Sequence, residues 1–168
     1  QTAYLKANYP VEYMTALMTC SMGNTDKMSE YIEECRQLKI EVLPPDVNAS
    51  ELDFTVEEGK IRIGLGAIKN VGDKAIEHLI ESRNRTGRFT NLYQFCENVD
   101  LHAVDRKSVE ALVKGGAFDS MGLHRAQLME VLEPALRIGG LRQSDRKLGQ
   151  LTFIAWSTSW ALRSGIFV

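Results

Sequence analysis

Apolar residues recur at helical spacing along the first forty positions. Val11, Met14, Leu17 and Met18 share one face of a helix that opens at Pro10 and ends near Gly23. Proline suits a first turn, where its missing N–H has no intrahelical partner anyway. The same proline closes a preceding helix over residues 2–9, because the residue before proline disfavours the helical region. Asn24 offers an N-cap. Beyond it Met28, Tyr31, Ile32, Cys35 and Leu38 form a second stripe, with Glu30, Glu33 and Glu34 on or beside the opposite face. A short turn lets these two helices pack antiparallel.

The period changes after Lys39. Residues 40–43 read as a short strand stopped by Pro44-Pro45. Phe54-Thr55-Val56 and Ile61-Arg62-Ile63 alternate around Glu57-Glu58-Gly59-Lys60, the pattern of a hairpin with a glycine in its turn. From Gly64 the helical period returns. A short turn at 67–69 leads through Asn70-Val71-Gly72 into a helix that faces Ile76, Leu79 and Ile80 inward. Further stripes follow at Leu92/Phe95/Cys96/Val99, at Val109/Leu112/Val113 and at Leu128/Val131/Leu132/Ala135/Leu136. The breaks between them are short, as in a compact helical bundle. The expected fold class is mainly α: a helical bundle with a tandem helix-hairpin-helix and one small β element around 40–63. From about Gly139 the chain turns polar, which predicts a loose linker.

Composition narrows the classes. At 168 residues the chain makes one ordinary domain or two small ones. With 44% hydrophobic and 25% charged residues it is not a disordered polymer. It begins at Gln1 inside a helical pattern and has no signal-peptide order, so its first residues read as a cut edge. Cys20, Cys35 and Cys96 have neither zinc-ligand spacing nor an even count. They are expected as reduced core thiols, each a small hydrophobe, in a cytoplasmic protein. Residues 151–168 hold both tryptophans, no acidic residue and only Arg163. Ser, Thr and Arg interrupt this tail, so it does not read as a membrane span.

A net charge of −2 hides a strong asymmetry. Residues 1–59 carry 4 Lys/Arg against 11 Asp/Glu. Residues 60–88 carry Lys60, Arg62, Lys69, Lys74, Arg83, Arg85 and Arg88 against Asp73, Glu77 and Glu81. This basic stretch coincides with the motif at 64–83. Gly72 allows a tight turn and close approach of a ligand. The helix after it presents unpaired N–H groups and a positive dipole end to a phosphate oxygen. The expected contacts are the backbone amides of Val71, Gly72, Asp73 and Lys74, with Lys69, Lys74, Arg83, Arg85 and Arg88 supplying charge. Such contacts fix position without reading sequence. Asp73 favours the dipole but lies near the proposed phosphate. Gly-x-Gly also occurs at any tight turn, and the cations alone could be a solvated face; their coincidence favours DNA. A second hairpin at 115–122, with only Lys114 and Arg125 nearby, reads first as a packing element, with DNA contact left open.

No catalytic or metal-binding constellation is expected. His78, His102 and His124 lack ligand spacing, and neither a phosphate-cradling Walker loop nor a Gly-x-Ser-x-Gly elbow is present.

Several motifs in one order carry a resemblance. Tyr4-Leu-Lys-Ala-Asn-Tyr-Pro-Val-Glu-Tyr-Met14, Asn24-Thr-Asp-Lys27, Tyr31-Ile-Glu-Glu-Cys-Arg36, Leu43-Pro-Pro-Asp-Val-Asn48, Gly64-Leu-Gly-Ala-Ile-Lys-Asn-Val-Gly72 and Gly115-Gly-Ala-Phe-Asp119 are collinear. Together they resemble the bacterial DNA polymerase III alpha subunit family, the replicative C-family polymerases, over about residues 1–150. The resemblance implies three parts: the helical end of the fingers region (1–50), a tandem helix-hairpin-helix gripping duplex primer-template DNA (51–138), and a polar linker with an atypical tail (139–168).

It also implies that the palm aspartates with their Mg²⁺ ions, the phosphoesterase-like domain and the clamp-binding region lie elsewhere in the parent. This segment is then expected to bring no cofactor and to be inactive alone. Its partners would be DNA, other domains of the same polymerase and, through regions absent here, replisome subunits such as the sliding clamp. The likeness stops after Gln150, which suggests a shifted reading frame for the tail. Two other readings stay open: a protein-interaction module packing on other polymerase domains, and a repair nuclease, for which no acidic metal cluster is in view.

Overall fold

The structure, a computed structural model, describes the backbone of residues 2–163 and the side chains of residues 2–149. In chain order its elements are α1 (Thr2–Asn8), α2 (Pro10–Cys20), α3 (Thr25–Gln37), β1 (Val42–Leu43), β2 (Thr55–Glu57), β3 (Lys60–Arg62), a 3-10 turn at Leu65–Ala67, α4 (Asp73–Thr86), α5 (Leu92–Asn98), α6 (Arg106–Lys114), a second 3-10 turn at Asp119–Met121, and α7 (Arg125–Arg163). The chain is mainly α with one small sheet, as the periodicity predicts.

Several helices start where a short polar side chain can satisfy an orphan amide. Asn24 accepts from the Lys27 amide (3.2 Å), Asn91 from that of Gln94 (2.9 Å) and Asp105 from that of Ser108 (2.8 Å). In the sheet, β2 and β3 pair antiparallel with Glu57 opposite Lys60. The turn residues Glu58 and Gly59 both have positive φ (49° and 79°), the two-residue geometry whose twist matches the flanking strands. β1 joins the other edge of β3 in parallel, Val42 opposite Ile61. Arg62 ties the three strands together: its Nε and Nη2 donate to the Glu57 carboxylate (3.0 and 2.7 Å) and its Nη1 to the Pro44 carbonyl (3.0 Å).

Two apolar cores lie side by side. Met14, Met18, Cys35, Ile40, Phe54 and Ile61 bury the sheet against α2 and α3. The larger core surrounds Phe95, which meets Phe89 and Phe118 edge-on at centroid distances of 5.2 and 5.0 Å. Residues 46–51 stitch the two cores together. Val47 enters the larger core. Fully buried Ser50 donates to the Ile63 carbonyl (2.7 Å) and accepts from the Asp46 amide (2.9 Å). Asn48 exchanges two hydrogen bonds with the Phe89 backbone (2.8 and 2.9 Å).

Two expectations are corrected. The chain from Gly139 is not loose: α7 continues through it. At Gly139 an added Cβ would stand 2.5 Å from the Cys96 carbonyl oxygen, so only glycine lets α5 and α7 touch. Gln143 Nε2 donates to the carbonyls of Cys96 (2.8 Å) and Val99 (2.7 Å), and Arg142 pairs with Glu97. The polar residues here satisfy the carbonyl end of α5 rather than solvent. The second correction concerns Cys20, which is exposed at the last position of α2, whereas Cys35 and Cys96 are buried. The side chains of residues 151–168, and with them the reading-frame expectation, lie outside the described residues.

Candidate nucleic-acid interface

The first hairpin begins with two glycines whose role is packing. An added Cβ at Gly64 would collide with the Asp53 carbonyl, and one at Gly66 would stand 2.9 Å from the Leu52 oxygen. The amides of Leu65 and Gly66 donate to the carbonyls of Glu51 (2.8 Å) and Leu52 (2.9 Å). The Gly-x-Gly pair therefore lets residues 51–53 lie across the 3-10 turn.

The reversal itself is made by Asn70, in the left-handed region at φ 66°; asparagine tolerates that conformation better than most residues. Val71 is buried in the larger core and anchors the turn. Gly72 follows as the N-cap of α4, with φ −78° and ψ 149°, values any residue adopts. A Cβ added there meets nothing within 4 Å. Neither backbone nor packing demands a glycine at this position, so the reversal belongs to Asn70 and the open space belongs to Gly72. No side chain caps α4, in contrast to α3, α5 and α6. Its first amides thus face an unfilled space at the positive end of the dipole.

The expected charge donors separate in space. Lys69 and Lys74 are exposed on either side of the turn, with Asp73 exposed between them at the first helical position. Arg83 is turned inward, its side chain 10% exposed. It donates to the Ser50 (2.7 Å) and Val47 (3.3 Å) carbonyls and pairs with Glu51 (2.5 Å), so its charge holds the loop at 46–51. Arg85 and Arg88 are exposed at the far end of α4, about 20 Å along the helix from Gly72. A residue that sequence reading passed over joins the site instead. A surface groove of 370 Å³ beside Asn70 is lined by Lys107, Ser108 and Lys114 of α6, together with the carboxylates Asp105 and Glu110. Lys114 is paired with Glu110 (2.6 Å), whereas Lys107 makes no ion pair among the described residues. Only the tertiary fold brings α6 beside this turn.

The second hairpin turns differently and closes the site. Gly116 (φ 84°) makes the left-handed reversal that Asn70 makes in the first, but Phe118, at φ −106° and ψ 3°, opens a 3-10 turn where Gly72 is extended and opens α4. Phe118 is fully buried, and Gly115 packs on Ile68 of the first hairpin. Arg125 lies over Gly116, donating to both oxygens of Asp119 (3.0 and 2.6 Å) and to the Lys114 carbonyl (3.1 Å). This bonding holds the Asp119 carboxyl below its usual range and raises Arg125. The cation expected to serve this hairpin is bound into the fold.

A family profile described as the helix-hairpin-helix motif matches residues 39–128. DNA polymerase III subunit alpha of Haemophilus influenzae is 44% identical over 151 residues, which cover 89% of this chain and 13% of that protein. The same subunit of Escherichia coli K12 is 42% identical over 151 residues, again 89% and 13%. That of Deinococcus radiodurans is 46% identical over 136 residues, 81% and 10%. The chain thus spans about an eighth of the length of such relatives. Hairpin geometry and sequence agree: the chain belongs to the helix-hairpin-helix family, in the form it shares with DNA polymerase III alpha subunits.

Proposed function

We propose that this chain grips the phosphate backbone of duplex DNA without reading its sequence, as part of a polymerase III alpha subunit acting in bacterial chromosome replication. One observation carries the reading: α4 opens without a side-chain cap at a glycine that the fold does not require. A phosphate oxygen would accept from the amides of Gly72, Asp73 and Lys74, with Lys69, Lys74 and Lys107 around it. The polymerase activity in the relatives' name we place in the rest of their length. Among the described residues no group of three or more His, Cys, Asp or Glu is placed to hold a metal ion. Clamp and replisome contacts are likewise assigned to regions beyond this chain. The three unpaired cysteines suit a reducing cytoplasm, and no described helix is long and apolar enough to cross a membrane.

Gly72→Ala tests this reading. Its φ and ψ suit alanine, which offsets alanine's poorer N-cap preference, so thermal stability should change by no more than about 1 kcal/mol. Affinity for a random-sequence duplex should fall about tenfold, the equivalent of one charge-assisted hydrogen bond. A folded variant that binds as tightly as the parent overturns it.

A second reading, packing on another protein surface, has its own support, partly beside the hairpin. Met28, Ile32, Phe54, Ile63, Ile68 and Ala111 line an apolar groove of 470 Å³, which also includes Lys69, Asn70 and Lys114. Tyr4, Leu5 and Tyr9 of the N-terminal helices are exposed. Both surfaces fit contact with neighbouring polymerase domains; the exposed N-terminal helices leave Gly72 free for DNA, whereas a partner in the groove would share Lys69 and Asn70 with it.

A further inference from the structure

The far end of α4 carries a second group of cations that the hairpin does not use. A polar groove of 410 Å³ lies where α4, α5 and α7 meet, lined by Arg85, Asn98, Asp100, Gln143, Arg146 and Lys147. Asn98 links two of its cations: the backbone carbonyl accepts from Arg85 (3.2 Å), and the side-chain oxygen from Arg146 (3.4 Å). Arg88 follows two residues after α4 ends. Two carboxylates also line the groove: Glu97, which is paired with Arg142, and Asp100; Asp145 lies on α7.

Satisfying the carbonyl end of α5 accounts for the positions of Arg85 and Arg146. It does not account for Lys147, which is exposed and makes no ion pair or hydrogen bond among the described residues. Nor does it explain why like charges gather where bringing them together is unfavourable.

The helix itself links this groove to the hairpin. Lys74 and Arg85 are eleven residues apart and so fall within about 20° of each other around α4. Both are on the exposed stripe, and between them His78 and Glu81 lie 3.8 Å apart with Glu77 beside them. The stripe is therefore cationic at both ends and acidic in the middle, which disfavours a continuous run of phosphates along it.

We propose that the Arg85–Arg146–Lys147 groove is a second phosphate-backbone contact for the same duplex. The inference rests on the DNA-binding reading of the hairpin. α4 then bridges two separated groups of phosphates about 20 Å apart, with its acidic middle over the gap.

The test is a salt series on the complete 168-residue chain with a random-sequence 20-base-pair duplex. The slope of log affinity against log salt is compared for the parent, Lys147→Gln, the Arg85→Gln/Arg146→Gln/Lys147→Gln triple variant and Lys69→Gln/Lys74→Gln, with thermal melting as the check on folding. Each lost phosphate contact should flatten the slope by about 0.9. The expected change is one such step for Lys147→Gln and up to three for the triple variant, adding to the hairpin variant's own loss. Lys147→Gln removes no recorded hydrogen bond, so it reads charge alone even if the triple variant is destabilised. Unchanged slopes in folded groove variants, with a flattened slope in Lys69→Gln/Lys74→Gln, would overturn the second contact and leave the first standing. Failure of the parent chain to bind at any salt would overturn both.

Discussion

Arg83, Arg85 and Arg88 lie within six residues of one another, yet their charges go to different places. Arg83 is drawn inward to two carbonyls and Glu51, Arg85 lies over the end of α5, and Arg88 is exposed. The same sorting acts elsewhere in the basic stretch: Lys60 and Arg62 are met by Glu41 and Glu57 from the acidic first part of the chain. A run of cations in sequence therefore overstates the cation available to a ligand. Arg83→Gln should lower unfolding stability by about 1–3 kcal/mol in a urea titration, because it strips donors from half-buried carbonyls. The salt slope of DNA binding should stay unchanged; a flattened slope would mean that Arg83 does reach phosphate.

At the scale of elements, glycine positions separate fold from site. Gly64 and Gly139 sit where another backbone approaches too closely for any side chain, while Gly72 sits in open space. α7 makes the contrast testable within one turn. Gly140 has nothing within 4 Å of an added Cβ, so Gly140→Ala should stabilise the helix by up to about 1 kcal/mol. Gly139→Ala gains the same propensity but drives a methyl into the Cys96 carbonyl. It should lose about 1–3 kcal/mol by denaturant midpoint, and equal effects would deny the α5–α7 contact. Helix positions, the Asn24 cap and the Glu58-Gly59 turn were legible because they depend on local spacing and backbone preference. The continuation of α7 was not, because the residues 139–146 that look solvated are polar toward α5.

For the molecule as a whole, charge pairing sets the pH range of stability. Hydrogen bonding from Arg62 lowers Glu57, from Lys114 lowers Glu110, from Ser108 lowers Asp105 and from Arg125 lowers Asp119. Carboxylates depressed in the fold contribute stability that is complete above their unfolded values, near 4, and is lost as pH falls through the folded values. Lys6 and Lys60 are raised by Glu34 and Glu41, and their contribution persists until strongly alkaline pH. Stability should be flat across the neutral range and fall below about pH 4, as measured by thermal melting against pH. Most of these pairs are exposed and worth little. Glu57–Arg62, the most covered of them, should dominate, so Glu57→Gln should blunt the acid transition more than Glu110→Gln does.

By itself the sequence determined the mainly helical class, the small hairpin, the order of the elements and the placing of a phosphate-compatible turn at 69–74. Each of these follows from short-range periodicity, capping chemistry and the tolerance of particular residues for particular turns. Only the tertiary structure decided which of the two hairpins stays open, that Lys107 joins it, that Arg83 leaves it, and that Arg85 meets Arg146 and Lys147 some sixty residues away. Those outcomes depend on which surfaces pack against each other, and no local rule along the chain encodes the partner of a charge.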